Sequence, residues 1–443
     1  MTEDNKPQAK ITGRERLYDG FFKIDELTIE MDKHAGGKQT VKRLSFERGH
    51  AVAILGYDPA RDEVVLVNEM RPGMLAAGEY PFNDSLPAGM IDKGETAIQA
   101  AMREMEEETG VELEEPVEVH AGAYVSAGGT SERLELVAGI IDASKAGGVH
   151  GEAGEGEDIK TVVLKSDEFI ARAESGEIKD MKSLVLAFWL AQHRDELKQK
   201  VAKPAPGKDA ASLKIVDVAK TPANTNAKKP QAQITERKPL YEGVFKVEEL
   251  TIEMDKHEGG TQTLKRLLFE RGDAIAILGY DPVRDEVVLI NEMRTDMLSA
   301  GDYPFSDSVP VVMIGKGEDV LKAAENRLER ETGVKLQDAN VIHKGAFVSS
   351  GGTSERIVLV TGTVDSSTAA GIHGRPEKGE DIKTVVMKSD DFIARAENGG
   401  LNDMKSLAFA FWLAKHRARL QKDAAAKAQP GTKPIDRKIS GIF

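Results

Sequence analysis

Residues 89–111, GMIDKGETAIQAAMREMEEETGV, crowd acid onto one short helix. From Thr96 to Thr109 the apolar residues recur at helical spacing, and Gly110 stands where a C-terminal cap belongs. Glu104, Glu107 and Glu108 fall at i, i+3 and i+4, so the three carboxylates share one face about a turn apart. Like charges so close destabilise a bare helix. Two readings follow: a solvated acidic face, or a set of hard oxygen ligands whose repulsion is offset by a cation such as Mg2+ or Mn2+.

Runs rich in β-branched residues lie on both sides of this helix. AVAILGY at 51–57, EVVLVNE at 63–69 and ERLELVAGIID at 132–142 read as strands, and 181–197 has the apolar spacing of a second helix. Strands, a helix, more strands and a terminal helix predict an α+β or α/β sandwich. The whole pattern is written twice. ITGRERLYDGFFKIDELTIEMDKH from Ile11 returns as ITERKPLYEGVFKVEELTIEMDKH from Ile234, a shift of 223. That shift carries Arg71 to Arg294, Glu132 to Glu355, His150 to His373 and Trp189 to Trp412 without a gap. The expected domains are 11–197 and 233–421. Lys/Ala/Pro-rich residues 198–232 read as a flexible linker, and 422–443 as a flexible tail.

Composition narrows the function classes. The chain has 443 residues, 40% hydrophobic and 30% charged, with no apolar run near the roughly 20 residues of a membrane span. A net charge of −14 repels phosphate backbones, which argues against a nucleic-acid partner. With no cysteine and a polar start, MTEDNKPQAK, the expected location is the cytoplasm.

The acidic segment matches every specified position of the Nudix box, G-x5-E-x7-R-E-U-x-E-E-x-G-U with U aliphatic. These are Gly89, Glu95, Arg103, Glu104, Met105, Glu107, Glu108, Gly110 and Val111. The chain therefore resembles Nudix hydrolases. That resemblance implies two Nudix α/β/α sandwich domains in tandem and Mg2+ or Mn2+ as cofactor. It assigns Glu104 and Glu108 as principal metal ligands, Glu107 as their support in binding and catalysis, and the Ala88 carbonyl as a further ligand. Glu95 and Arg103 take a structural role, pairing the loop with the helix. Clustered metal ions would neutralise a diphosphate, activate water and stabilise the leaving oxygen.

Residues 15–196 further resemble bacterial ADP-ribose pyrophosphatases. LYDGFF at 17–22, FERGHA at 46–51, DPARDEVVLV at 58–67, SAGGTSER at 126–133 and HGEAGEGEDI at 150–159 carry the likeness. It implies an N-terminal antiparallel subdomain exchanged between partners, a Phe21 ring stacked on adenine, and substrate contacts by Arg43, Arg71, Gly89 and Glu132. Glu155 and Glu157, on an acidic loop that closes over the diphosphate, are both candidates for the general base. The implied reaction converts ADP-ribose to AMP and ribose 5-phosphate. The alternatives are a GDP-mannose or other sugar-nucleotide pyrophosphatase, since the box does not read the base, and a ligand sensor or scaffold without turnover.

The second copy has lost its box. Val312 replaces Gly89, Asn326 replaces Arg103, Arg327 replaces Glu104 and Arg330 replaces Glu107, while Glu318 and Glu331 are kept. Arginine does not deprotonate in proteins, so this site cannot hold a cation. Simple pairing of Arg327, Arg330 and Lys378 with Glu329, Glu331 and Glu380 is the expectation. Arg266, Arg294 and Glu355 persist, so the halves are expected to form an internal pseudo-dimer in which Arg266 and Glu355 serve the first site, with a homodimer as the other possibility. Val244 stands in place of Phe21. A stacking residue contributed by the second copy would therefore not be aromatic.

Overall fold

The fold follows from alternation within the strands. Elements are numbered in chain order, and the computed structural model describes residues 6–202 and 229–427. The expected linker therefore lies mostly outside the described residues, as does the tail from 428 onward. Each half opens with a three-stranded antiparallel sheet: β1 (Ala9–Asp19), β2 (Lys23–Asp32) and β3 (Lys38–Glu47). A mixed eight-stranded sheet follows, from β4 (Ala51–Asp58), β5 (Glu63–Met70), β6 (Phe82–Ser85), β7 (Ala88–Met90), β8 (Glu114–Tyr124), β9 (Arg133–Ile140), β10 (Val149–His150) and β11 (Ile159–Lys165). The helices are α1 (Pro72–Ala76), α2 (Ala97–Thr109), α3 (Ser166–Ser175) and α4 (Met181–Ala202).

Strand β4 is buried on both faces. Val52 and Ile54 pack with Ala100, Ala101 and Met105 of α2, whereas Ala51, Ala53 and Leu55 face a second core that includes Phe169 of α3 and Leu184 of α4. Period-2 alternation thus places one helical layer on each side of the sheet, an α/β/α sandwich. The second half repeats the order: β12 (Ala232–Glu242), β13 (Lys246–Asp255) and β14 (Thr261–Glu270) form its small sheet, and α5 (Thr295–Ala300), α6 (Val320–Thr332), α7 (Ser389–Glu397) and α8 (Met404–Lys427) its helices. α4 and α8 run past the expected boundaries at 197 and 421, because the Lys, Gln and Ala residues there are good helix formers.

The small sheets are exchanged. Leu27, Ile29, Met31 and Val41 pack on Met293, Leu298 and Phe305 of the second half. In return Leu250, Ile252, Met254, Leu264 and Leu268 pack on Met70, Leu75 and Phe82 of the first. Where the sheets meet, Phe46 stacks on its repeat counterpart Phe269, with centroids 3.8 Å apart and planes inclined by 16°. α4 and α8 join one core across the same axis, and the Gln192 amide donates to the Phe411 carbonyl at 3.1 Å. With every exchanged face covered inside one chain, light scattering should return the single-chain mass of 48.1 kDa. A stable species of twice that mass would mean that the exchange runs between chains.

Candidate active site

The acidic helix is fixed at both ends. Thr96 caps α2 by accepting from the Gln99 N–H, the Gln99 side chain accepts from the Thr96 N–H, and Gly110 closes the helix at φ 70°. With Met105 held in the core, Glu104 and Glu108 are brought against β7. Glu108 accepts from the Ala88 N–H at 3.1 Å. A Cβ on Gly89 would stand 1.8 Å from Glu104 Oε1, so only glycine admits this approach. Arg103 donates to both oxygens of Glu95 at 3.0 Å, to the Met90 carbonyl at 3.0 Å, and to Glu104 and Glu107 at 2.7 and 3.0 Å.

Burial dominates the electrostatics. It pushes the Glu104 carboxyl up to about 7, with Arg103 opposing. Glu108 is also raised, first by burial and then by Glu69, while Arg71 opposes. Burial raises Glu157 as well. Such crowded carboxylates are what a divalent cation would relieve, and an all-oxygen donor set suits a hard one. Among the described residues no three acidic or histidine side chains already converge on one point. Arg103 ties Glu104 and Glu107, and the Ala88 N–H holds Glu108. The donor chemistry fits the ion.

Above this helix opens a cavity of about 840 Å3. Its first-half lining includes Phe21, Arg71, Ala88, Gly89, Glu104, Glu107, Glu132, Glu155 and Glu157; Arg266, Ser349 and Ser350 come from the second half. Phe21 is 73% exposed, its ring resting on Phe22. Arg71 is paired with Glu69 at 2.8 Å and donates to Ser85 at 2.9 Å. The Ser349 hydroxyl accepts from Arg48 at 2.6 Å and donates to Glu132 at 3.2 Å. Glu157 accepts from the Glu152 N–H at 3.0 Å, and Arg266 donates to the Glu155 carbonyl at 2.7 Å.

Two expected contacts fall elsewhere. Arg43 donates to the carbonyls of Lys378 and Gly379 at 3.0 and 3.2 Å, because the exchange carries β3 to the second half and brings β14, with Arg266, to the first. Glu355 lies outside the large cavity, buried beside Arg271 at 3.5 Å and Ser126 at 3.3 Å. Phe21, not Val244, lines the first-half cavity, so the aromatic surface is retained there.

Arg48, Glu69, Asp180, Lys182 and Ser349 also line the cavity and went unforeseen. Lys182 had left a signal, a cation interrupting the apolar run DMKSLVLAFWL at 180–190. Its ammonium meets Asp180 at 3.1 Å, and burial lowers its pKa. In the second half Arg327 occupies the position of Glu104, 2.6 Å from Glu331, whose carboxyl burial pushes up to about 7. Arg330 reaches the same carboxylate at 3.7 Å. Glu380 pairs with Arg375 at 2.6 Å and not with Lys378, because Arg375 opens the tight turn that Glu380 closes.

Residues 47–160 match the NUDIX domain. The chain is 37% identical over 198 residues to ADP-ribose pyrophosphatase of Escherichia coli strain K12, covering 44% of this chain and 94% of the relative. It is 34% identical over 199 residues to ADP-ribose pyrophosphatase of Haemophilus influenzae, covering 44% of this chain and 91% of the relative. With GDP-mannose pyrophosphatase of Salmonella arizonae it shares 30% identity over 179 residues, 39% of this chain and 90% of the relative.

The raised Glu104 carboxyl has a measurable consequence. Its proton binds more tightly in the folded state, so the stability it adds is complete below about pH 4.5 and is lost as pH rises to about 7. In metal-free protein Tm should fall over that window, by at most about 3 kcal/mol in stability, and Glu104→Gln should flatten the fall. Equal slopes for the two proteins would contradict the assignment.

Proposed function

Since the chain belongs to the Nudix hydrolase family and is a pyrophosphohydrolase of sugar-nucleotide diphosphates, we propose that its first half hydrolyses ADP-ribose to AMP and ribose 5-phosphate with Mg2+ or Mn2+, while the second half supports that site without turnover. One observation carries this reading: a single cavity gathers the box carboxylates Glu104 and Glu107, Phe21 and the acidic loop of the first half with Arg266 and Ser349 of the second.

Glu104, Glu108 and the Ala88 carbonyl would hold the cation, with Glu107 beside them. When bound, it supplies neutralisation of the diphosphate and activation of water. The chain's own groups do the rest. Phe21 offers an exposed face on which a purine stacks. Arg71 and Arg266 give the diphosphate fixed positive charge, and Gly89 keeps the floor open to it. Glu132, held by Arg48 and Ser349, presents an acceptor for a ribose hydroxyl. Of the two loop acids, Glu157 is the favoured base. It is partly buried, burial raises its pKa, and its carboxylate is oriented by the Glu152 N–H. Glu155 is more exposed. The box excludes neither GDP-mannose nor other sugar nucleotides as substrates, and the 30% identity to GDP-mannose pyrophosphatase makes that the second reading.

Purified protein with Mg2+ is expected to release AMP from ADP-ribose faster than it cleaves GDP-mannose. The reverse preference would overturn the substrate and leave the chemistry standing. Glu108→Gln should lower kcat by about a thousandfold, whereas Arg330→Ala, on the helix without ligands, should leave it unchanged. A chain that never turned over, a sensor or scaffold, would show no such contrast. Phe21→Val, which copies the second half, should raise KM for ADP-ribose by about tenfold through lost stacking.

A further inference from the structure

The acidic loop of the first half is gripped from the other half of the chain. Gln262 Nε2 donates to the Gly156 carbonyl at 3.2 Å, and Arg266 donates to the Glu155 carbonyl at 2.7 Å. The His257 N–H donates to Asp158 Oδ2 at 2.6 Å, and its Nε2 donates to the Asn68 carbonyl at 3.0 Å, one residue from cavity-lining Glu69. All of these donors belong to the β13–β14 hairpin, with His257 in its turn and Gln262 and Arg266 on β14. They bind main-chain carbonyls and one side chain next to Glu157, so they set the path of the loop and leave the Glu157 carboxylate free of them.

The same grip exists on the other side. His34 meets Asp381 and the Asn291 carbonyl at 2.5 and 3.1 Å, and Gln39 meets the Gly379 carbonyl at 3.4 Å. There it holds a loop in which Lys378 replaces Glu155 and Arg375 captures Glu380. The second half has arginine in place of two of its box acids, at Arg327 and Arg330, yet has His257 and Gln262, the residues that reach the first half.

We infer that His257 and Gln262 are positioning residues for the hydrolysis: the hairpin of the degenerate half fixes residues 155–158 so that Glu157 stands at the cavity. This rests on the reading that Glu157 serves the first-half site. The two copies supply their own control, since His34 and Gln39 make equivalent bonds to a loop without that role.

The test compares two full-length double variants, His257→Ala with Gln262→Ala and His34→Ala with Gln39→Ala, by ADP-ribose hydrolysis with Mg2+ and by amide hydrogen exchange. The first should lose about tenfold in kcat with KM within about twofold, and residues 152–158 should exchange faster. The second should keep kcat within about twofold and speed exchange only at 375–381. Equal losses of kcat in both variants, or unchanged exchange at 152–158 in the first, would overturn the inference. If the unaltered protein leaves ADP-ribose intact, the substrate reading has failed, and the exchange data alone decide the grip.

Discussion

Neither small sheet can bury its apolar face within its own half. Ile24, Leu27, Ile29 and Met31 of β2 are almost wholly buried, and Leu27, Ile29 and Met31 find their partners on the opposite body. Burying such side chains stabilises by roughly 1.5–3 kcal/mol each, so the exchange is a large part of what holds the halves together. Phe46 and Phe269 mark its axis. The composition of the cavity follows from this exchange, because a sheet that covers the other body carries its own arginine, glutamine and histidine there.

A shared site relaxes the demand that both copies stay alike. With the first-half cavity lined from both halves, the second copy presents Arg266 and Ser349 to it although its own box has lost two acids. Arg327 against Glu331 shows the contrast between the halves: the buried acid that matches Glu108 has a fixed cation 2.6 Å away. Departure from two-fold symmetry also appears at the axis. The Gly73 N–H donates to the Ser350 carbonyl at 2.9 Å, and a Cβ there would lie 2.1 Å from the Thr353 carbonyl oxygen. The repeat position holds Asp296, which accepts from Ser45 at 2.7 Å and whose carboxyl burial pushes up to about 7. Glycine on the first side lets the second half's 349–353 loop approach closely, and Ser349 reaches the cavity.

What could be read in advance was local. The box spacing, the Thr96 and Gly110 caps, the 223-residue repeat and the charge reversal in the second copy all depend on residues near in sequence or on comparison of two written copies. The places of Arg43 and Glu355 away from the first-half cavity were not legible in this way, because a position in a repeat says nothing about which half it faces. Lys182 and Asp180 belong to no motif: the lysine interrupts the apolar run in the first turn of α4, but only the cavity shows where it points.

The sequence by itself determined that this chain holds two Nudix domains, one with the full set of box carboxylates and one with arginines in two of their places, because charge and helical periodicity are properties of adjacent residues. Only the tertiary structure decided that Phe21 and Glu132 stay with the first-half cavity while Arg266 and Ser349 reach it from the second half, and Gln262 and His257 reach the loop beside it. Such crossing is set by which apolar faces cover one another across more than two hundred residues of chain, and no local pattern encodes that choice.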